Sequence, residues 1–238
     1  MKRILLLTIL FALLLSACTL APSPSTSSDN STDTDEGEND IEHDDTLVVM
    51  THDSFAVSEE VIKLFEDEYG VDVEFLASGD TGAALNKAIL SKEAPLADVF
   101  FGVDNTFLSR ALDAELFEPY DAPGLATIPE EFKLDVENRA LPVTYGDVCI
   151  NYDKAYFLEN DLAVPQTFEE LMLPEYAELL VVENPATSSP GLAFLLASVA
   201  HFGTEGYLDF WAALEDEGVS VASNWESAYY SNFSASSG

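Results

Sequence analysis

Apolar and polar positions follow two rhythms along this chain, one of period two and one near 3.6. The run TLVVMT from Thr46 to Thr51 is short and β-rich, and it breaks at His52-Asp53-Ser54, polar residues suited to a strand-to-helix turn. From Ser58, a good N-cap residue, Val61, Ile62, Phe65 and Tyr69 recur at helical spacing until Gly70 closes the helix. Residues 71–76 (VDVEFL) alternate apolar and acidic, which predicts a strand with one wet face. Gly79-Asp80-Thr81-Gly82 then opens a helix carrying Leu85, Ile89 and Leu90. Residues 97–103 (ADVFFGV) form a nearly continuous apolar run, the pattern of a buried parallel strand. Phe107, Leu108, Ala111 and Leu112 mark a further helix. Strand and helix alternating in this way predict an α/β layer on a parallel sheet.

The second half is less regular. Pro119, Pro123, Gly124 and Pro129 punctuate a loop-rich passage, after which residues 141–152 (LPVTYGDVCINY) read as a long strand broken at Tyr145-Gly146-Asp147. Cys149 sits inside that apolar run, where a buried, inert thiol is expected. Residues 165–178 predict two short helical turns and residues 179–182 a strand. A helix over 192–202, apolar on nearly every face, is expected to be buried, with Ser189 as N-cap, Pro190 in its first turn and Gly203 at its end. Tyr207, Phe210, Trp211 and Leu214 share one face of the next helix, which stops at Gly218. A strand over 219–222 follows, and Asn224-Trp225 opens another turn or helix. Two α/β lobes, 46–145 and 146–238, joined near residues 143–150, are the economical organisation.

Charge changes this picture by exclusion. The 238 residues include 44 Asp and Glu against 9 Lys and Arg, a formal net charge of −35. Such a chain has no basic excess with which to neutralise nucleic-acid phosphates or anionic lipid. Yet 47% of residues are hydrophobic, so a core is available. Lys2 and Arg3 precede the apolar run 4–15, which is too short for a membrane span of about 20 residues and has the form of a secretory signal, residues 1–18. It ends Leu15-Ser16-Ala17-Cys18, which resembles the lipobox of bacterial lipoproteins, with Cys18 the lipidated residue; an ordinary signal with a chance Cys is the alternative. Residues 19–45 carry nine acidic residues, no basic one and almost nothing large and apolar, the composition of a disordered tether.

Four segments bring chemistry to the carboxyl ends of predicted strands: His52-Asp53-Ser54, Gly79-Asp80-Thr81-Gly82, Thr187-Ser188-Ser189-Pro190 and Asn224-Trp225. Ligands of open α/β sheets sit outside those ends, where helix N-termini offer free N–H groups. Singly, each segment has a plainer reading: a cap, a turn, a core tryptophan. Their shared position at one kind of junction is the stronger signal. Nothing in the pattern supports an enzyme, and no cofactor or metal is expected at the candidate site. His43, His52 and His201 are scattered, His201 reading as a satisfied core residue, and no HExxH, paired CxxC, GxSxG or P-loop is present. A serine hydrolase using Ser188 with His52 remains an alternative of another class, and a purely structural surface lipoprotein a further one. Tyr229-Tyr230 are candidate ferric-iron ligands or packing residues.

The lipobox, the acidic tether and the opening TLVVMTHDSF together resemble a bacterial solute-binding protein, and more closely the thiamine-binding subunits of ABC uptake transporters. The likeness is carried by Thr51-His52-Asp53-Ser54-Phe55, Asp80 with Leu85-Asn86, Ala97-Asp98-Val99, Gly102-Val103-Asp104-Asn105, Tyr145-Gly146, Tyr152-Asp153-Lys154, Thr187-Ser188-Ser189-Pro190-Gly191-Leu192 and Trp225-Glu226-Ser227-Ala228-Tyr229. The resemblance implies a two-lobed α/β fold of the periplasmic-binding-protein type II kind, hinged, with ligand held in the interlobe cleft. It implies a monomer outside the cytoplasm, anchored through Cys18, that delivers thiamine or its phosphates to an ABC permease and its ATPase. Asp80, Thr81, Ser188, Ser189 and Trp225 match ligand-contacting positions, and His52, Asp53 and Tyr145 join the candidate set. Trp225 would stack on a ring of the cation, Asp80 (with Asp53 or Asp147) would offset its charge, and Ser188 and Ser189 would hydrogen-bond its hydroxyethyl arm or a phosphate on it. The Ala-Asp-Val and Tyr-Asp-Lys pieces are shared by iron- and polyamine-type relatives, which form the alternative. His52 stands where the family often has Tyr. The family's chain continues well past Phe233, so the resemblance implies a truncated second lobe and a product that folds poorly and binds weakly alone.

Overall fold

The computed structural model describes residues 45–233. The signal, Cys18 and nearly all of the tether lie outside the described residues, as do residues 234–238. Two parallel sheets organise the chain. In the first, β1 (Thr46–Thr51) is flanked by β2 (Asp72–Ala77) and β3 (Val99–Phe100), in the order β2-β1-β3. β1 runs in register with β2 from Thr46↔Asp72 to Thr51↔Ala77, and Val49 and Met50 pair with Val99 and Phe100. Helix α1 (Glu59–Tyr69) connects the first pair, and α2 (Thr81–Leu90) leads towards β3. α1 starts and stops on its own residues. The Ser58 hydroxyl accepts the Val61 N–H, and Gly70, at φ 70°, turns the chain left-handed while donating to the Glu66 carbonyl. Behind this sheet, Leu85 of α2, Phe107, and Ala111 of α3 (Leu108–Asp113) form a buried cluster against which Phe100, Phe117 and Leu192 pack.

After α4 (Lys154–Glu159), the short turns α5 (Phe168–Leu171) and α6 (Pro174–Ala177) lead to β4 (Val181–Glu183), which pairs in parallel with β5 (Ser220–Ala222). Between them runs α7 (Ser189–Asp216), and a π-helical turn, Ser227–Phe233, follows β5. Leu171, Ala177, Leu180, Val182, Phe210 and Leu214 form the second core, with Phe168, Phe194, Phe202 and Trp211 around it. α7 is two helices joined across a kink. Gly203 has φ 76° and ψ 170°, outside helical space, so the predicted stop is present as a kink and the second helix resumes beyond it.

Four expectations are corrected. Residues 141–152 form no strand: the backbone there has no regular hydrogen-bonding pattern, and Val143 and Ile150 are exposed. Strand-like alternation makes a strand only where a neighbour completes the ladder. For the same reason Cys149 is exposed rather than buried. The helix after Ser189 is only half-buried, with Leu196 exposed, because its apolar girth exceeds what the second core covers. His201 is not a core residue; it is exposed, with its Nε2 2.8 Å from the Glu169 carboxylate and its ring against Phe168 and Phe202. One loop in the irregular middle is well tied. The Asp135 carboxylate accepts the Arg139 backbone N–H and pairs with its guanidinium, which holds its pKa at about 2.

Candidate ligand-binding site

The carboxyl ends of β1 and β2 are stitched together by residues that the local sequence places there. The Ser78 N–H donates to the Thr51 carbonyl, and Asp53 makes two bonds with Gly79: its N–H to the Gly79 carbonyl at 3.1 Å, and its Oδ1 from the Gly79 N–H at 2.7 Å. Gly79 sits at φ 87°, the left-handed geometry that this tight return requires. Asp80 is the N-cap of α2 by position, yet its side chain makes no capping bond. Instead its Oδ2 accepts the Trp225 N–H at 3.0 Å. Thr81 is buried and donates to the Gly102 carbonyl, and the His52 ring lies over Gly102, whose absent Cβ would stand 3.0 Å from it. His52 Nδ1 is 3.0 Å from the Ser54 hydroxyl, and its ring borders Phe55 and Phe101. Beside His52 and Asp53 lies a hollow of about 210 Å³, lined mainly by Phe55, Val57, Ile62 and Phe75.

The second sheet supplies the facing half. The chain leaves β4 through Asn184-Pro185-Ala186-Thr187, and the Thr187 carbonyl accepts the Gly82 N–H at 2.8 Å. No residue larger than glycine fits at 82. A Cβ there would meet the Ala186 and Thr187 carbonyl oxygens at 2.8 and 2.9 Å. α7 is capped by Ser188, one residue earlier than the sequence pattern indicates, its hydroxyl accepting the Gly191 N–H at 3.2 Å. The same hydroxyl donates to Glu183 at the end of β4 in a short hydrogen bond. Ser188 has thereby committed its single O–H within the protein. Ser189 differs: its hydroxyl oxygen is buried with no hydrogen-bond partner. The two adjacent serines are not equivalent, which their sequence does not distinguish. Trp225 is half-buried and stacks on Tyr229, centroids 5.0 Å apart and planes 8° from parallel, while Tyr230 meets it edge-on.

The electrostatics of this junction are acidic. Burial raises the pKa of Asp80, the Trp225 N–H opposes that shift, and the neighbouring charges of Asp53 and Glu226 add to it while His52 counters. Burial likewise raises Glu183, against the Ser188 hydrogen bond and with the Asp80 charge. Of the eight candidates, the structure brings His52, Asp53, Asp80, Thr81, Ser188, Ser189 and Trp225 to one junction. Tyr145 it places elsewhere, exposed and stacked on Phe132 at 4.8 Å. Glu183 was not among the residues singled out from sequence. The signal available was an acidic residue ending a strand five positions ahead of a capping serine.

The carboxyl ends of the two parallel sheets are joined through the Asp80–Trp225 and Gly82–Thr187 hydrogen bonds. The family model for bacterial extracellular solute-binding proteins matches residues 94–233, and the chain belongs to that family. Its relatives include the thiamine-binding periplasmic protein of Brucella suis, 32% identical over 191 residues, which cover 78% of this chain and 54% of the relative. The thiamine-binding periplasmic protein of Escherichia coli K12 is 30% identical over 188 residues, 77% of this chain and 55% of that one. The chain thus spans about half the length of the curated relatives it matches. Among solved structures, a periplasmic thiamin binding protein superposes with TM-score 0.58 at 26% identity, covering 78% of this chain and 57% of that one. Iron-bound HitA from Pseudomonas aeruginosa superposes with TM-score 0.59 at 21% identity, covering 79% and 59%, and shares the fold. The fold is that of type II periplasmic binding proteins.

Proposed function

We propose that the protein is the substrate-binding subunit of an ABC importer and that it captures thiamine between residues 46–145 and 146–238 for delivery to the permease. One observation carries the reading best: an aromatic platform, Trp225 on Tyr229, is joined by a direct hydrogen bond to a half-buried carboxylate, Asp80. Thiamine combines flat rings with a permanent cationic charge, and stacking plus a cation–π contribution suits such a platform. The named relatives support the ligand class. Asp53 and Asp80 offset the thiazolium charge, Thr81 and His52 shape the wall beside them, and the Ser189 hydroxyl meets the polar arm. Lipidation at Cys18 and the acidic tether hold the receptor at the outer side of the cell membrane. No step of chemistry on the ligand is required of these residues.

Titrating the purified protein with thiamine, ferric citrate and spermidine tests the assignment. Saturable binding of thiamine alone is expected. Ferric loading with a visible charge-transfer band from Tyr229 or Tyr230, and no thiamine response, would replace it with the iron-type reading.

Affinity is also expected to depend on pH. A bound cation favours the charged forms of Asp80 and Glu183, so binding is complete above their raised pKa values and weakens as pH falls through them. Asp53, Glu226 and His52 face the same group, the first two reinforcing the trend. Calorimetric dissociation constants measured from neutral pH downward should rise, and Asp80→Asn should flatten that rise. A profile identical in the two proteins would remove Asp80 from the site.

A further inference from the structure

The start of a long helix is a ready place for an anion, because its first N–H groups lack intrahelical partners. At α7 that place is already served by the protein itself. Glu183 ends β4 with its carboxylate on the Ser188 hydroxyl, and Ser188 in turn caps the first turn through the Gly191 N–H. Gly191 makes this closeness possible: a Cβ there would lie 2.4 Å from the Glu183 carbonyl oxygen. Across the junction stands Asp80, close enough to interact with Glu183 through charge. The basic side chains nearby are already engaged, His52 being the one whose charge bears on Asp80. The α2 ammonium, Lys87, is engaged by Ser78 at 3.3 Å, and His52 is bonded to Ser54. One residue on, the Ser189 hydroxyl is buried and unpartnered, a polar atom waiting for a ligand atom of matching kind.

We propose that Glu183 is a specificity-determining residue: seated at the start of α7 opposite Asp80, it takes the position a phosphate would need, so the site accepts the free cationic alcohol and discriminates against its phosphate esters. The chemistry follows from hydrogen-bond roles. An ionised carboxylate only accepts, an alcohol both donates and accepts, and a phosphate monoester near neutral pH is mainly an acceptor bearing up to two charges. A hydroxyethyl arm donates to Glu183 and pairs with Ser189. A phosphate on that arm meets Glu183 with like charge and no proton to give. This rests on the thiamine reading above and narrows it to the unphosphorylated vitamin.

The test is calorimetric titration near pH 7.5 of the folded protein, its cooperative thermal transition checked first, with thiamine and with thiamine monophosphate. Thiamine is expected to bind at least about tenfold more tightly. Glu183→Gln keeps a carbonyl acceptor for Ser188 and removes the charge; it should tighten monophosphate binding by about tenfold and change thiamine binding less. Equal affinities for the two compounds in the unaltered protein would overturn the inference while leaving the thiamine reading intact, and this arm does not depend on the variant folding. An unchanged ratio in a folded Glu183→Gln protein would do the same. If neither compound binds, the thiamine reading fails and the inference with it.

Discussion

Trp225→Ala is expected to weaken thiamine binding by one to two orders of magnitude. The ring contributes a stacking face and a cation–π attraction, each roughly 0.5–2 kcal/mol in a partly desolvated site, and a factor of ten corresponds to about 1.4 kcal/mol. Truncation also strips Tyr229 and Tyr230 of the surface they pack on, at centroid distances of 5.0 and 5.5 Å, so the remaining aromatic wall loses its orientation. The hydrogen bond to Asp80 comes from the backbone of residue 225 and survives the substitution, so the loss reports on the ring. Trp225→Phe should recover most of the affinity. A dissociation constant unchanged by Trp225→Ala, from fluorescence or calorimetric titration, would take the tryptophan out of the site.

Gly191→Ala is expected to produce the largest loss of stability of any single methyl addition in the second half. The new Cβ would stand 2.4 Å from the Glu183 carbonyl oxygen, 2.8 Å from its carbon and 3.2 Å from the Asn184 carbonyl carbon. These are backbone atoms of β4 and its exit, so the strain is relieved only by moving α7 off the sheet. Overpacking of this kind costs about 1–3 kcal/mol, or roughly 2–12 °C in melting temperature for a chain of this size. Gly124→Ala is the matched control, since nothing lies within 4 Å of its Cβ position. Equal melting temperatures for the two variants would show that the helix start is not tightly held against the strand.

What was legible in the sequence was mostly local chemistry. Ser58 and Gly70 bound α1 because a hydroxyl cap and a left-handed glycine act within one turn. Pro190 and Gly203 marked the start and the interruption of α7 for the same kind of reason. The parallel sheet followed from alternation, and the rule that ligands gather at strand carboxyl ends pointed to seven of the eight candidates, which share one junction in the structure. The failures required knowledge of partners. Residues 141–152 have strand-like alternation and no described neighbouring strand, so Cys149 and Ile150 are exposed. Tyr145, a candidate only through the resemblance, lies against Phe132, apart from the junction of the other seven. The Glu183–Ser188 pair has a spacing signal in the sequence, but the nearness of Asp80 to Glu183 depends on how the chain folds and has none.

The hydrogen bond between Asp80 and Trp225 joins residues 145 positions apart. Closing so long a loop costs chain entropy that only the other contacts of the two halves can offset. The three described strands of the first sheet, by contrast, all lie within residues 46–100, with local crossovers. Folding should therefore run in two time regimes, an early one that lays down β1, β2 and β3 and a late one that brings the aromatic platform to the carboxylate. A chain threaded outward from its amino end would expose Asp80 as a bare acidic cap first, and gain its partner only after the remaining residues had emerged. Amide exchange at Trp225 would time that second event directly, because its N–H is the donor that completes the junction.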